Sequence, residues 1–341
     1  VELQLWQWVL LFAATSAALV GASVWLARTG DEIAIRTGLG GLFVGVVFTA
    51  TATSLPEVVT AGSAALAGAP QLAVGGLLGS NMANMAILAF VDLISRRRVW
   101  PAVELGHARV ASVAIALTAL AVLFIAMPTM PRIGWIGLDT VTIAVVYGAA
   151  LAWFRRARAP ITNLALEEVP APMGWTRSRR PRTGIRPAAL RFAAAAIGVL
   201  IVGPFVTITS KGIADTSGLG ETFVGVAFLA IATSLPELVA SIAAVRMGAY
   251  DLAVGNLFGS NAMNMALLLL VDAAYRPGAL LPAVSVGVEV AAGIGAILLT
   301  ALALAAVVHG EQVRLRRLEP DAALLLITYG GLLIALSTLP D

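Results

Sequence analysis

The sequence predicts an all-α polytopic membrane protein, with ten transmembrane helices arranged as two inverted five-helix repeats. Three observations predict it. Of the 341 residues, 59% are hydrophobic and 12% charged, with a mean hydropathy of +0.92. No soluble core of this size buries that much apolar surface, so lipid must solvate it. Runs of roughly 20 apolar residues recur along the chain, each long enough to cross a hydrocarbon layer of about 30 Å. Finally, the stretch Phe43–Asp92 is written again as Phe223–Asp272, with 30 of 50 positions identical and no gap. A duplication of that quality marks an internal repeat.

Taken in order, the expected spans are Leu5–Ala27, Gly41–Leu66, Leu72–Ile94, Val110–Met127, Trp135–Phe154, Pro187–Thr209, Thr222–Val245, Leu252–Ala274, Ala283–Val308 and Ala322–Leu336. Residues 1–154 form the first five-helix repeat, 155–186 a basic linker, and 187–341 the second repeat. Arginines set the orientation. Arg28 and Arg36 follow span one, Arg96, Arg97 and Arg98 follow span three, and Arg314, Arg316 and Arg317 follow span nine. The linker after span five carries Arg155, Arg156, Arg158, Arg177, Arg179, Arg180, Arg182 and Arg186. Connections after the even spans hold isolated charges such as Arg132, Lys211 and Arg276. By the positive-inside rule the odd connections are cytoplasmic and both termini lie outside. With five spans per half, span seven enters from the side opposite to its duplicate, span two. The repeats are therefore antiparallel about an axis in the membrane plane, which puts a shared site near the midplane.

Composition excludes several classes. Zero cysteines rule out disulfides and thiolate metal centres. Two histidines, His107 and His309, lie near expected helix ends and cannot build a histidine-based metal site. The high pI comes from linker arginines and reads as topology, with no nucleic-acid partner implied. The linker has one acidic pair, Glu167 and Glu168, and offers no ion-sensing loop of spaced carboxylates. The first apolar run lacks a basic n-region and reads as a retained helix in the inner membrane.

The chemistry lies in the duplicated stretch. Glu57 is the only charged residue between Arg36 and Asp92, and Glu237 the only one between Glu221 and Arg246. An ionisable group at that depth costs several kcal/mol and marks a functional site. Each glutamate closes a Thr-Ser-Leu-Pro-Glu motif (Thr53, Ser54 and Pro56; Thr233, Ser234 and Pro236). The proline breaks the helical ladder and frees backbone carbonyls, around Ala50 in one copy and Ala230 in the other. Each motif continues into Gly-Ser-Asn-x-x-Asn on the next span, where Ser80 and Asn84, or Ser260 and Asn264, share a helix face. The glycines Gly75, Gly76, Gly79, Gly255 and Gly259 allow close helix approach. Spans two, three, seven and eight thus supply two carboxylates plus hydroxyl, amide and carbonyl oxygens. Such hard donors suit Ca²⁺ and Na⁺, whereas Mg²⁺ sheds its waters reluctantly. The site has no distinct acid, base or nucleophile for hydrolysis, so the chain is read as no enzyme.

Other polar residues are expected to be structural. Asp92 and Asp272 are read as interfacial anchors, and Asp139 and Glu289 as solvated. Trp6, Trp8, Trp100, Trp135 and Trp153 are read as interfacial belts.

At these residues the chain resembles the calcium/cation antiporter superfamily, in its sodium/calcium exchanger branch. The resemblance covers nearly the whole chain and rests on both T-S-L-P-E and both G-S-N-x-x-N motifs. It implies a monomeric secondary antiporter, without cofactors, that exchanges Na⁺ for Ca²⁺ by alternating access. Carried onto this sequence, it implies that Glu57 and Glu237 bind Ca²⁺ with the Thr53 and Thr233 carbonyls. It further implies Na⁺ sites from Ser54, Ser80, Ser234, Ser260, the Thr53 and Thr233 hydroxyls and the Ala50 and Ala230 carbonyls, completed by Asn84 and Asn264. Spans one and six would slide across the other eight. Several relatives have aspartate where this chain has Asn84 or Asn264. The alternative within the same fold is proton-coupled exchange of Ca²⁺ or another divalent cation.

Overall fold

The computed structural model describes residues 3–37, 53–95, 99, 100, 103, 106–128, 130–156, 185–246, 248–309 and 320–339. Residues 38–52, including Ala50 and the first half of expected span two, lie outside that set, as does most of the basic linker.

Among the described residues, ten α-helical elements follow one another: α1 Leu5–Thr37, α2 Leu55–Leu66, α3 Pro70–Ile94, α4 Gly106–Ala126, α5 Leu138–Arg156, α6 Ile185–Ser217, α7 Glu221–Arg246, α8 Tyr250–Ala274, α9 Val286–His309 and α10 Pro320–Ser337. Among the described residues, eight are long and apolar enough to cross a membrane, and α2 and α5 contribute shorter apolar helices. The all-α, ten-helix inverted repeat is therefore the observed architecture. Its central elements are α3 and α8, the most buried of the spans. They cross each other, with α4, α5, α9 and α10 around them.

Both α1 and α6 have 33 residues, about 50 Å at 1.5 Å per residue. They overrun the expected spans because their charged ends find partners. Glu32 is buried on α1 and accepts a hydrogen bond from Arg191 of α6 at 2.8 Å. At the opposite end of α6, Lys211 pairs with Asp215 and with Glu221 at the start of α7. The two long helices pack along each other and meet the rest of the bundle chiefly through α2 and α7.

Glycine sets how closely α3 and α7 approach. A Cβ on Gly79 would lie 2.5 Å from the Val226 backbone, and one on Gly75 would lie 2.8 Å from the Thr222 carbonyl oxygen. One on Gly225 would lie 2.9 Å from the Gly76 nitrogen. Main chain thus rests on main chain. Gly255, by contrast, sits against the His107 ring rather than a helix backbone.

Four expectations need correction. The fifth helix starts at Leu138 and not Trp135, because Arg132–Ile133 and Ile136–Gly137 pair as a two-stranded hairpin turning at Gly134, whose φ is 64°. Asp92 and Asp272 are not interfacial anchors but buried staples. Asp92 accepts the Val99 amide at 2.9 Å. Asp272 accepts the Leu280 amide (2.7 Å), the Gly137 amide (2.8 Å) and the Thr140 hydroxyl (2.6 Å). Loop amides that cannot reach water are satisfied this way. Asp139 and Glu289 are buried, not solvated: Asp139 accepts the Thr140 amide and Glu289 the Thr222 hydroxyl at 2.7 Å. Trp100 is buried rather than in a belt, whereas Trp6, Trp135 and Trp153 are exposed.

Replacing Gly79 by Ala should lower stability by about 1–3 kcal/mol, the usual cost of overpacking. Gly62→Ala, where a Cβ meets nothing within 4 Å, should leave stability within roughly 0.5 kcal/mol of the parent. Thermal unfolding of the two purified variants in detergent checks the contrast.

Candidate functional site

The two Thr-Ser-Leu-Pro-Glu copies adopt different backbones. In the first, Ser54 is the non-helical N-cap of α2 (φ −86°, ψ 0°) and Pro56 falls in the first turn. A proline there sacrifices no helical hydrogen bond. Glu57 then occupies the first turn, where a carboxylate complements the helix dipole. In the second copy Pro236 lies inside a continuous α-helical segment, Ala230–Arg246, and the irregularity sits upstream as a π-helical turn over Gly225–Leu229. π-turns are rare and concentrate at functional sites. Here the turn is the part of α7 that lies against Gly76 and Gly79.

These segments bring both glutamates to one buried place. Glu57 is 3% exposed and Glu237 1%. The Glu57 carboxylate lies beside Glu237 and beside Thr233 of the opposite half, while Glu237 lies beside Thr53. The swap of partners between halves follows the inverted repeat. Glu57, Thr60, Gly76, Ser80, Leu229 and Thr233 line a narrow gap between α2, α3 and α7. Across it Ser80 and Thr233 share a hydrogen bond of 3.2 Å, and the Thr233 hydroxyl also reaches the Ala230 carbonyl at 3.2 Å.

Most oxygens here have no hydrogen-bond donor of normal geometry among the described residues. They are Glu57 Oε2, both carboxylate oxygens of Glu237, Ser54 Oγ, Ser234 Oγ, Ser260 Oγ, Asn84 Oδ1 and Asn264 Oδ1. A buried polar oxygen without a partner costs about 1–3 kcal/mol, and a buried charge more. So many orphans of one kind, all acceptors or hydroxyls, call for a cation. Two carboxylates match the charge of one divalent ion, and the neutral oxygens are of the kind that coordinates such ions.

Thr53, Ser54, Glu57, Ser80, Asn84, Ala230, Thr233, Ser234, Glu237, Ser260 and Asn264 are all buried at the α2, α3, α7 and α8 crossing. Ala50 is the one expected contributor outside the described residues. Sequence reasoning passed over Asn81 and Asn261, which knit α3 to α8. Asn81 Nδ2 donates to the Asn261 carbonyl (3.2 Å), and Asn261 Nδ2 to the Asn81 carbonyl (3.1 Å). Asn84 and Asn264 in turn donate to Asn261 Oδ1 (2.9 Å) and Asn81 Oδ1 (3.0 Å). The signal was present: both asparagines belong to the duplicated Gly-Ser-Asn. Grouping residues four apart tied Ser80 to Asn84 and left out the neighbour three apart.

A larger cavity of about 530 Å³ lies between α1, α2 and α6, lined among others by Trp8, Ser63, Pro204, Thr207 and Lys211. It is separated from the gap beside Glu57 at Thr60, whose carbonyl accepts the Thr207 hydroxyl at 3.0 Å.

The family model described as sodium/calcium exchanger protein matches residues 7–155 and 187–338. The chain belongs to the sodium/calcium exchanger protein family. Its two matched blocks flank the basic linker. The inner membrane protein YrbG of Escherichia coli (strain K12) is 28% identical over 255 residues, 74% of this chain and 75% of YrbG. Among solved structures, native YfkE superposes with a TM-score of 0.67 at 17% identity, covering 97% of this chain and 92% of YfkE. The sodium–calcium exchanger NCX_Mj superposes with a TM-score of 0.59 at 20% identity, covering 98% and 99% of the two chains. These likenesses establish the exchanger fold, and family membership makes the chain a multi-pass secondary transporter rather than an enzyme.

A cation held by the paired glutamates should stabilise the protein. At a Ca²⁺ concentration a hundred times its dissociation constant, linkage adds about 2.7 kcal/mol to the unfolding free energy. Thermal unfolding in detergent should show this gain for the parent chain and lose it in Glu57→Gln and in Glu237→Gln.

Proposed function

We propose that this exchanger is a Na⁺/Ca²⁺ antiporter that binds its ions near the membrane midplane, between α2, α3, α7 and α8. The observation that carries the reading is the meeting of Glu57 and Glu237, one from each inverted half, with both side chains removed from solvent. Glu57 and Glu237 ligate Ca²⁺ with the Thr53 and Thr233 carbonyls. Na⁺ occupies overlapping positions built from Ser54, Ser80, Ser234, Ser260, the two threonine hydroxyls and the Ala50 and Ala230 carbonyls. Asn84 and Asn264 complete the cluster. The name of NCX_Mj, a sodium–calcium exchanger, and the oxygen-rich donor set support this choice of ions.

Alternating access follows from electrostatics. The α1–α6 pair, which rests on the bundle chiefly through α2 and α7, slides across the site once its charge is compensated. An empty site would carry two bare carboxylates through a dehydrated state at a cost of several kcal/mol per ion, so exchange wins over leak. Arginine placement puts the linker 155–186 in the cytoplasm and both termini outside. The protein works as a monomer in the cell membrane, a location supported by the name of YrbG.

The test is ⁴⁵Ca²⁺ uptake into proteoliposomes. An outward Na⁺ gradient should drive uptake. Glu57→Gln and Glu237→Gln should each reduce it by at least a hundredfold while the protein still inserts. Uptake that follows a pH gradient and ignores Na⁺ would instead assign proton coupling; undiminished uptake in either variant would remove the glutamates from the site.

A further inference from the structure

We propose that Asn81 and Asn261 are positioning residues that hold the side-chain amides of Asn264 and Asn84 with their oxygens, not their nitrogens, turned toward the ion. This rests on the cation site proposed above and adds what orients two of its ligands. An asparagine amide has an oxygen at one end and an NH₂ at the other, of nearly equal size. Only the first end can ligate a cation, so the orientation has to come from the surroundings.

It is decided by a chain of obligate acceptors. The Asn261 backbone carbonyl can accept a hydrogen bond but never donate one, so the Asn81 atom 3.2 Å from it is Nδ2. The other neighbour of that nitrogen is Thr118 Oγ1 at 3.5 Å, whose own proton goes to the Ala114 carbonyl at 2.8 Å. Thr118 therefore also presents a lone pair. The opposite half repeats the arrangement. Asn261 Nδ2 faces the Asn81 carbonyl at 3.1 Å and Thr300 Oγ1 at 3.5 Å, and Thr300 donates to the Ala296 carbonyl at 2.7 Å. Turning either asparagine over would set oxygen against two acceptors in a buried space.

With the nitrogens committed, Asn81 Oδ1 and Asn261 Oδ1 are fixed as acceptors. They take the amide protons of Asn264 and Asn84, at 3.0 and 2.9 Å. Asn264 Oδ1 and Asn84 Oδ1 are then the free ends, and both are buried without a hydrogen-bond partner among the described residues. Each link crosses between repeats: a residue of one half aims a ligand of the other. The same acceptors would oppose an ionised carboxylate at position 84 or 264, oxygen facing oxygen. The two amides keep the site's formal charge at that of Glu57 and Glu237 alone.

A double-mutant cycle tests the orientation, because an aspartate has an oxygen at either end. The readout is equilibrium ⁴⁵Ca²⁺ binding to the purified full chain in detergent, with Na⁺ competition. Asn81→Ala should raise the half-saturating Ca²⁺ concentration at least tenfold in the parent chain, about 1.4 kcal/mol. In an Asn264→Asp background the same substitution should cost less than threefold, or improve binding by removing the opposed oxygen. The mirror cycle, Asn261→Ala with Asn84→Asp, supplies the answer should Asn81→Ala not fold. Equal losses in both backgrounds would reduce these asparagines to packing and overturn the inference, as would an undiminished affinity in Asn81→Ala. Glu57→Gln separates the two levels. If it binds Ca²⁺ like the parent, the site itself is wrong and this inference falls with it. If it abolishes binding while the cycle is additive, only the orienting role is lost.

Discussion

Two carboxylates facing one another in a space closed to water are the constraint around which this bundle is organised. Neither Glu57 nor Glu237 has a basic partner among the described ion pairs, and desolvation penalises both. Among the described residues, no cationic side chain balances their charge. The surrounding residues present oxygens in place of lysines or arginines: the hydroxyls of Thr53 and Thr233 and the side-chain oxygens of Asn84 and Asn264. Left bare, two buried carboxylates are costly, which is the ground of the exchange mechanism proposed above.

Holding these groups together demands close approach of helix axes. The glycines of α3 let the π-turn of α7 lie on its backbone, and the paired asparagines lock α3 against α8. Polar contacts between membrane helices are individually modest, about 1 kcal/mol. Their reciprocity makes register hard to lose: Asn81 and Asn261 each donate to the other's carbonyl, so sliding either helix breaks both bonds. The hydrogen-bonded contact of α3 and α8 contrasts with α1 and α6. Those two are tied to each other at one end by Glu32 and Arg191 and reach the core chiefly through α2 and α7.

The repeat is imperfect at its central motif. Identical Thr-Ser-Leu-Pro-Glu segments begin a helix in one half and lie inside one in the other. The packing also differs: α7 lies on the glycines of α3, whereas the corresponding Gly255 of α8 is met by the His107 ring. His107 also reaches Asp251 at 3.1 Å, a contact with no equivalent at Gln71, its duplicate position. An inverted repeat with unequal halves distinguishes the two sides of the membrane.

Hydropathy and a gapless duplication were enough to read ten helices and their inversion, and the duplication singled out Glu57 and Glu237, which the structure buries close together. Those features are properties of single segments or of their comparison, and lipid imposes them segment by segment. Partnership was beyond reach of the same reading. Asp139 and Glu289 looked like charges at span ends, yet both are buried: Asp139 accepts the Thr140 amide of its own helix, and Glu289 the Thr222 hydroxyl of α7. The charged ends of α1 and α6 looked like terminators, yet ion pairs extend both helices. Asn81 and Asn261 were visible as letters in a repeat, but which end of each amide faces which acceptor is set by a helix 180 residues away in sequence. Segment-level chemistry was written in one dimension, while hydrogen-bond direction and burial of charge required three.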